Sequence, residues 1–212
     1  MSLSGFSKFR KDWIEPFVIV FLIVAVIRIF IIAPFKIPSG SMEDTLLVGD
    51  HLMAVKFIYG IKLPFANKFL KRFRDPKPGE IVIFKFPSDP SKDYIKRCIA
   101  VGGQTVEIRN RDVFVDGKHV NLPEHAKYLT MNIFSPDHAP RDNYKPQIVP
   151  ENHMFMMGDN RDNSYDSRYW GFVPYDNIKG NAFIIWWSCD HDVPFYNVIH
   201  RVRWGRIFKI IR

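Results

Sequence analysis

The chain has 212 residues, 47% hydrophobic and 15% aromatic, which supplies a packed core and excludes general disorder. Its net charge of +8 suits an anionic lipid surface as well as a nucleic acid. Cys98 and Cys189 lack a CxxC pair or Cys/His ligand spacing, so no zinc or other metal, and no cofactor, is expected; whether the two thiols pair is left open.

Taken in chain order, the first element is a membrane span. Residues 17–27 are apolar without a break, Arg28 interrupts, and 29–35 resume the run. Phe17 to Phe35 is 19 residues, about 28 Å as a helix against a hydrocarbon core of about 30 Å. Arg28 can snorkel to the headgroups, and Trp13 sits where an interfacial anchor belongs. Bulky Ile31 ahead of Ala33, with Pro34 directly behind, spoils the small-residue pattern of a cleaved leader, which predicts a retained anchor over 14–35. Lys8, Arg10 and Lys11 keep the tail 1–13 cytoplasmic by the positive-inside rule, so 36–212 lies outside.

Past the anchor, Pro38-Ser39-Gly40-Ser41 reads as a loop. Ile81-Val82-Ile83-Phe84 reads as a buried strand after the turn at Pro78-Gly79. Tyr94 to Ile99 reads as another strand, on which Lys96 and Arg97 face opposite ways, one buried and one in solvent. Val113 to Val120 reads as a hairpin turning at Asp116-Gly117. Residues 122–153, rich in proline, histidine and asparagine, read as an irregular excursion; a small subdomain is expected over about 105–153. Phe183 to Trp187 and Val202 to Ile211 are further expected strands. The outer portion is therefore predicted to be mostly β. Two basic stretches, Lys68 to Lys77 and Arg201 to Arg212, read as solvated faces or as contacts for anionic lipid; nucleic acid is disfavoured because the region faces away from the cytoplasm.

The chemistry-bearing residues are Ser41 and Lys96. A serine hydroxyl needs a base, and none of His51, His119, His125, His138, His153, His191 and His200 lies in a recognisable triad motif. Lysine can serve when burial lowers its pKa from about 10.4; bringing it to about 8 costs about 3 kcal/mol of differential solvation, within reach of an apolar pocket. Lys96 has Tyr94, Ile95, Cys98 and Ile99 around it. Read singly, Lys96 is an ordinary surface lysine and Ser41 a turn residue.

The whole set of blocks is more specific. Ile37-Pro38-Ser39-Gly40-Ser41-Met42 with Thr45-Leu46, then Gly79 to Phe84, then Asp93-Tyr94-Ile95-Lys96-Arg97, and then Gly158-Asp159-Asn160-Arg161-Asp162-Asn163-Ser164 running on to Pro174 follow the anchor in order. In this the chain resembles bacterial type I signal peptidase (leader peptidase), the membrane-anchored serine–lysine endopeptidase of protein export. The resemblance implies a signal-peptidase-like β fold behind one transmembrane helix, in the bacterial inner membrane with the catalytic domain extracytoplasmic. It implies Ser41 as nucleophile and Lys96 as general base. The Ser41 amide and Ser39 hydroxyl would form the oxyanion hole. Ser164 would hydrogen-bond Lys96, with Asp166 and Arg168 paired in support. Phe35, Ile37, Pro38, Met42, Leu46, Ile83, Asp93, Tyr94 and Ile95 would wall two shallow pockets that admit small residues at positions −1 and −3 of a signal peptide. Preprotein signal peptides, the phospholipid surface and the export machinery are the implied partners, without nucleic acid. Asp44 departs from the proline common at its position, and Ala100 to Gln104 departs from the usual Gly-Leu-Pro-Gly-Asp. Two other readings are a serine–lysine self-cleaving protease and a non-catalytic envelope scaffold that retains the fold.

Overall fold

A computed structural model describes residues 10–63, 68–135 and 140–211. Lys8, His138 and Arg212, and with them most of the basic tail, lie outside the described residues. Among the described residues one helix, Lys11–Ile31, is long and apolar enough to span a membrane. Its 21 residues rise about 31 Å. None of its side chains is buried by the protein.

The helix ends four residues before the apolar run does. Residues 32–35 belong to strand β1 (Ile32–Lys36), which pairs with β2 (Asp50–Val55). Phe35 therefore packs on the core of the domain that follows instead of closing the apolar helix. Lys56 seals the joint: its backbone amide donates to Ile31 O at 2.8 Å, and Nζ donates to Arg28 O at 2.7 Å. These are carbonyls at a helix C-terminus, where a cation is favoured.

The domain after the helix is built on a seven-stranded antiparallel sheet in the order β1-β2-β13-β5-β6-β11-β12. Its other strands are β5 (Ile81–Phe86), β6 (Asp89–Val101), β11 (His153–Met157), β12 (Val173–Pro174) and β13 (Ile178–Ser188). A two-stranded sheet pairs β3 (Gly60–Lys62) with β4 (Phe69–Arg72). A four-stranded sheet is ordered β10-β7-β8-β9 from β7 (Thr105–Arg109), β8 (Asp112–Val115), β9 (Lys118–Val120) and β10 (Tyr144–Ile148). The turn between β8 and β9 is Asp116-Gly117, both at positive φ as a two-residue hairpin requires.

Alternation on β5 divides the core. Ile81 and Ile83 face Ile37, Met42, Leu46 and Leu52, while Val82 and Phe84 face Cys98, Met154 and Met156. A third cluster, with Ile99, Val106 and Phe155, joins the two larger sheets. Cys98 is a core residue; Cys189 is half-buried, and the two are not bonded.

Two strand expectations change. Residues 202–211 form isolated bridges and a 3₁₀ turn at Trp204–Arg206 instead of a strand, because Arg206 turns inward to bind buried Asp50 at 2.6 Å and Thr45 O at 3.0 Å. Arg97, expected in solvent, is 6% exposed. The strand that carries it is covered on both faces: Ile95 packs on one core cluster and Cys98 lies in the other.

Candidate active site

Ser41 lies in a short 3₁₀ turn, Gly40–Met42, and is buried to 8% exposure; Met42 behind it is fully buried and fixes the turn on the core. Lys96 lies on β6 and is 4% exposed. Lys96 Nζ and Ser41 Oγ are hydrogen-bonded, across 55 residues of chain. Residues 158–164 hold the turn from the other side. Asn160 N donates to Ser41 O at 3.1 Å, and Asn160 Nδ2 to Gly40 O at 3.2 Å. A Cβ at Gly158 would lie 2.3 Å from Ser164 Oγ and 2.5 Å from Ser41 O, so only glycine permits this approach.

Burial dominates the electrostatics. It lowers the Lys96 pKa to about 8; Asp166 and Asp159 pull it back up and Arg168 pushes it further down. Asp166 and Arg168 form a fully buried pair at 2.8 Å. Burial alone would raise the Asp166 carboxyl, but the Arg168 charge, its hydrogen bonds and the Gly158 amide outweigh it and hold the group below the usual carboxylate value. Arg168 also donates to Arg161 O at 2.6 Å and Arg141 O at 2.8 Å, which ties the segment carrying Ser164 to its surroundings. Ser164 Oγ is buried beside the Asp166 carboxylate, which its hydroxyl helps to keep ionised, and it makes no bond to Lys96. The expected Ser164–Lys96 bond is thus not formed here; the lysine amine is turned to Ser41 instead.

A cavity of about 570 Å³ opens over Ser41 and Lys96. Of the residues anticipated as its walls, Pro38, Asp93, Tyr94 and Ile95 line it, together with Ser39, Ser41, Lys96 and Ser164. Ile37, Met42, Leu46 and Ile83 do not: they are at most 2% exposed and form the core beneath, with Phe35 packed against them. Their apolar character reflects packing. Besides Gly40, the lining also includes Asp162, Asn163, Tyr165 and Tyr169. All four belong to the last sequence block and were given no role by the sequence reading.

Sequence reading also missed a buried ion-pair cluster behind Ser41 and Lys96. Arg97 binds Asp159 with two nitrogens, at 2.9 and 2.7 Å, and Thr45 Oγ1 donates to Asp159 Oδ2 at 2.6 Å. The three residues come from three different blocks, and their co-occurrence was the available signal. Asp44 has φ +72°, a value closed to proline, so the departure from proline there belongs to a different backbone path. The turn after β6 is secured despite its altered sequence: Gln104 Oε1 accepts from Val101 N at 3.0 Å, and Gly103 N donates to Val149 O at 2.9 Å.

Residues 10–187 match the family model described as signal peptidase, peptidase S26. The chain belongs to this family. Membership makes it a serine peptidase, a hydrolase. Signal peptidase I of Pseudomonas fluorescens is 39% identical, over 80% of this chain and 69% of that protein. Signal peptidase I of Aquifex aeolicus is 34% identical over 84% of each chain, and that of Rickettsia typhi 33% identical over 96% of this chain and 94% of its own. A solved signal peptidase I from Enterococcus faecalis aligns over 51% of this chain and 97% of its own, with 28% identity and a TM-score of 0.39. The S26 assignment rests on the sequence matches. Both Ser41 and Lys96 lie inside the matched region.

Proposed function

We propose that this peptidase removes signal peptides from exported preproteins by a Ser41–Lys96 dyad, working at the outer surface of the membrane that its N-terminal helix anchors. The observation that carries the reading is the buried Lys96 amine hydrogen-bonded to Ser41 Oγ. With the amine neutral, its lone pair takes the Ser41 proton as Oγ attacks the scissile carbonyl. The resulting ammonium returns that proton to the leaving amine, and a water activated in the same way releases the acyl-enzyme. The Ser41 amide and the Ser39 hydroxyl stabilise the developing oxyanion; Ser39, extended and on the cavity wall, is free of any capping role.

Substrate enters as an extended strand. Residues 93–96 pair with β5 on one side, whereas β11 begins its pairing only at Arg97, which leaves their other edge for a peptide beside the cavity. Walls of Pro38, Tyr94 and Ile95 leave shallow space and favour small side chains at −1 and −3. The tail before the helix stays cytoplasmic and the domain after it is extracytoplasmic.

The test is cleavage of a purified secretory precursor in proteoliposomes by wild type, Ser41→Ala and Lys96→Ala, with the cut site read by mass spectrometry. Wild type is expected to cut after a small residue, and both variants to fold and be inactive. An active Ser41→Ala enzyme, or a product cut elsewhere, sinks the reading.

A further inference from the structure

The segment behind Ser41 is held from an unexpected direction. Glu43 is extended, and Asp44 adopts a left-handed backbone at φ +72°. That conformation costs an L-residue about 1–2 kcal/mol unless its surroundings hold it. What meets the two carboxylates is Lys127, from the irregular stretch after β9. Its Nζ lies 2.8 Å from Asp44 Oδ2 and 3.3 Å from Glu43 Oε2.

Lys127 also grips the other half of the site. Its amide donates to Asp159 O at 2.9 Å, and its carbonyl accepts from Arg161 N at 2.9 Å, which makes a parallel bridge across Asn160. Asn160 closes the ring: its side chain donates to Glu43 Oε2 at 3.0 Å while its amide binds Ser41 O. The next residues extend the same seam, with Leu129 N and Thr130 N each donating to Asp162 Oδ2 at 2.8 Å. One residue therefore joins the nucleophile turn through its side chain to the 158–164 loop through its backbone.

We infer that Lys127 is a positioning residue, through which the inserted subdomain sets the placement of Ser41 against Lys96. It does not line the cavity and acts only through the turn it restrains. Its carboxylate partners are about half exposed, so the pair contributes little to global stability. Placement of a nucleophile is far more sensitive, since a misplacement of about 1 Å can cost about 10²-fold in rate.

The inference rests on Ser41 as nucleophile, and the experiment separates the two. Steady-state kinetics of the full chain in detergent are compared for wild type, Lys127→Met, Lys127→Arg and Ser41→Ala, at low and high salt. Lys127→Met is expected to lower kcat about 5- to 20-fold with KM within about 2-fold, because the loss falls on orientation and not on binding. Lys127→Arg should restore most of it. Wild-type kcat should fall with ionic strength toward the Lys127→Met value, which itself stays flat, because exposed pairs are screened. A Lys127→Met enzyme with wild-type kcat overturns the inference, and so does an equal loss in Lys127→Arg. Should Lys127→Met unfold, the double variant Glu43→Gln/Asp44→Asn removes the same charges without touching Lys127 and is decided by the same kcat and salt readouts. An active Ser41→Ala would instead refute the site assignment, whatever Lys127 does.

Discussion

The two faces of β6 treat adjacent cations in opposite ways. Lys96 and Arg97 are both nearly buried, at 4% and 6% exposure. Arg97 is given a carboxylate: Asp159 takes two of its nitrogens and Gly79 O a third. Lys96 is given an alcohol, with Asp166 and Asp159 acting on it only as more distant charges. A paired buried cation stays charged and serves as a strut. A buried amine without a contacting anion gives up its proton more readily and can act as a base. The difference between structure and chemistry on this strand lies in what each side chain is offered.

Replacing each cation by methionine breaks the comparison. Lys96→Met should lose activity by roughly 10³-fold or more, since the dyad acts as a unit. The same change should stabilise the fold. The Lys96 pKa is about 8 when folded and 10.5 when unfolded, so the unfolded chain binds more protons between those values. Below about pH 8 the wild type carries the full penalty of a buried ammonium; the penalty fades as pH rises to 10.5. Lys96→Met should therefore be about 1–3 kcal/mol more stable at pH 7 and converge on wild type above pH 10.5, by thermal denaturation in detergent. A destabilised variant at pH 7 would show that the amine has an anionic partner after all.

Arg97→Met should do the reverse. It strands Asp159, which is fully buried, and is expected to cost about 3–5 kcal/mol in chemical denaturation. The double variant Arg97→Met/Asp159→Leu should recover much of that, because it removes both charges. No recovery would mean that Thr45 and the 158–164 loop depend on the carboxylate itself.

The pH profile sharpens the Lys96 half. With chemistry limiting, kcat/KM should rise about tenfold per unit up to about pH 8 and level off, leaving about a tenth of the plateau at pH 7. A profile flat from pH 6 to 9 would assign the base elsewhere.

Much of this contrast was legible in the sequence, and its limits have physical causes. Strand alternation correctly put Lys96 and Arg97 on opposite faces, but it carries no information on whether the second face is covered; Ile95 packs on one core cluster and Cys98 in another, so both faces are. Hydropathy could not separate the helix from β1, since lipid and a protein core select the same side chains at 32–35. It likewise could not tell the walls of a pocket from the core beneath, which is why Ile37 and Ile83 were expected at the cavity. The basic–apolar mixture at 202–211 looked like a strand until Arg206 found Asp50, a partner 156 residues away. Lys127 had no signal at all: its role depends on a non-local bridge to Asn160 in an otherwise irregular stretch.

The smallest expected effect concerns Ser164, and it is the most discriminating because stability and rate should part company. Its hydroxyl is buried, lines the cavity and faces the Asp166 carboxylate. Arg168 and the Gly158 amide still satisfy Asp166 without this hydroxyl, so Ser164→Ala should change stability little, within about 1 kcal/mol. If the hydroxyl serves Lys96, it does so when the amine has taken the Ser41 proton and needs an acceptor. The ammonium then has a donor to spare, and the Ser164 lone pair is the uncommitted acceptor on the same cavity wall. Ser164→Ala should then lower kcat about tenfold, in line with one hydrogen bond to a charged group, and leave KM unchanged. A loss confined to KM would place Ser164 in substrate binding, and an unchanged kcat would leave the base oriented by burial and Ser41 alone.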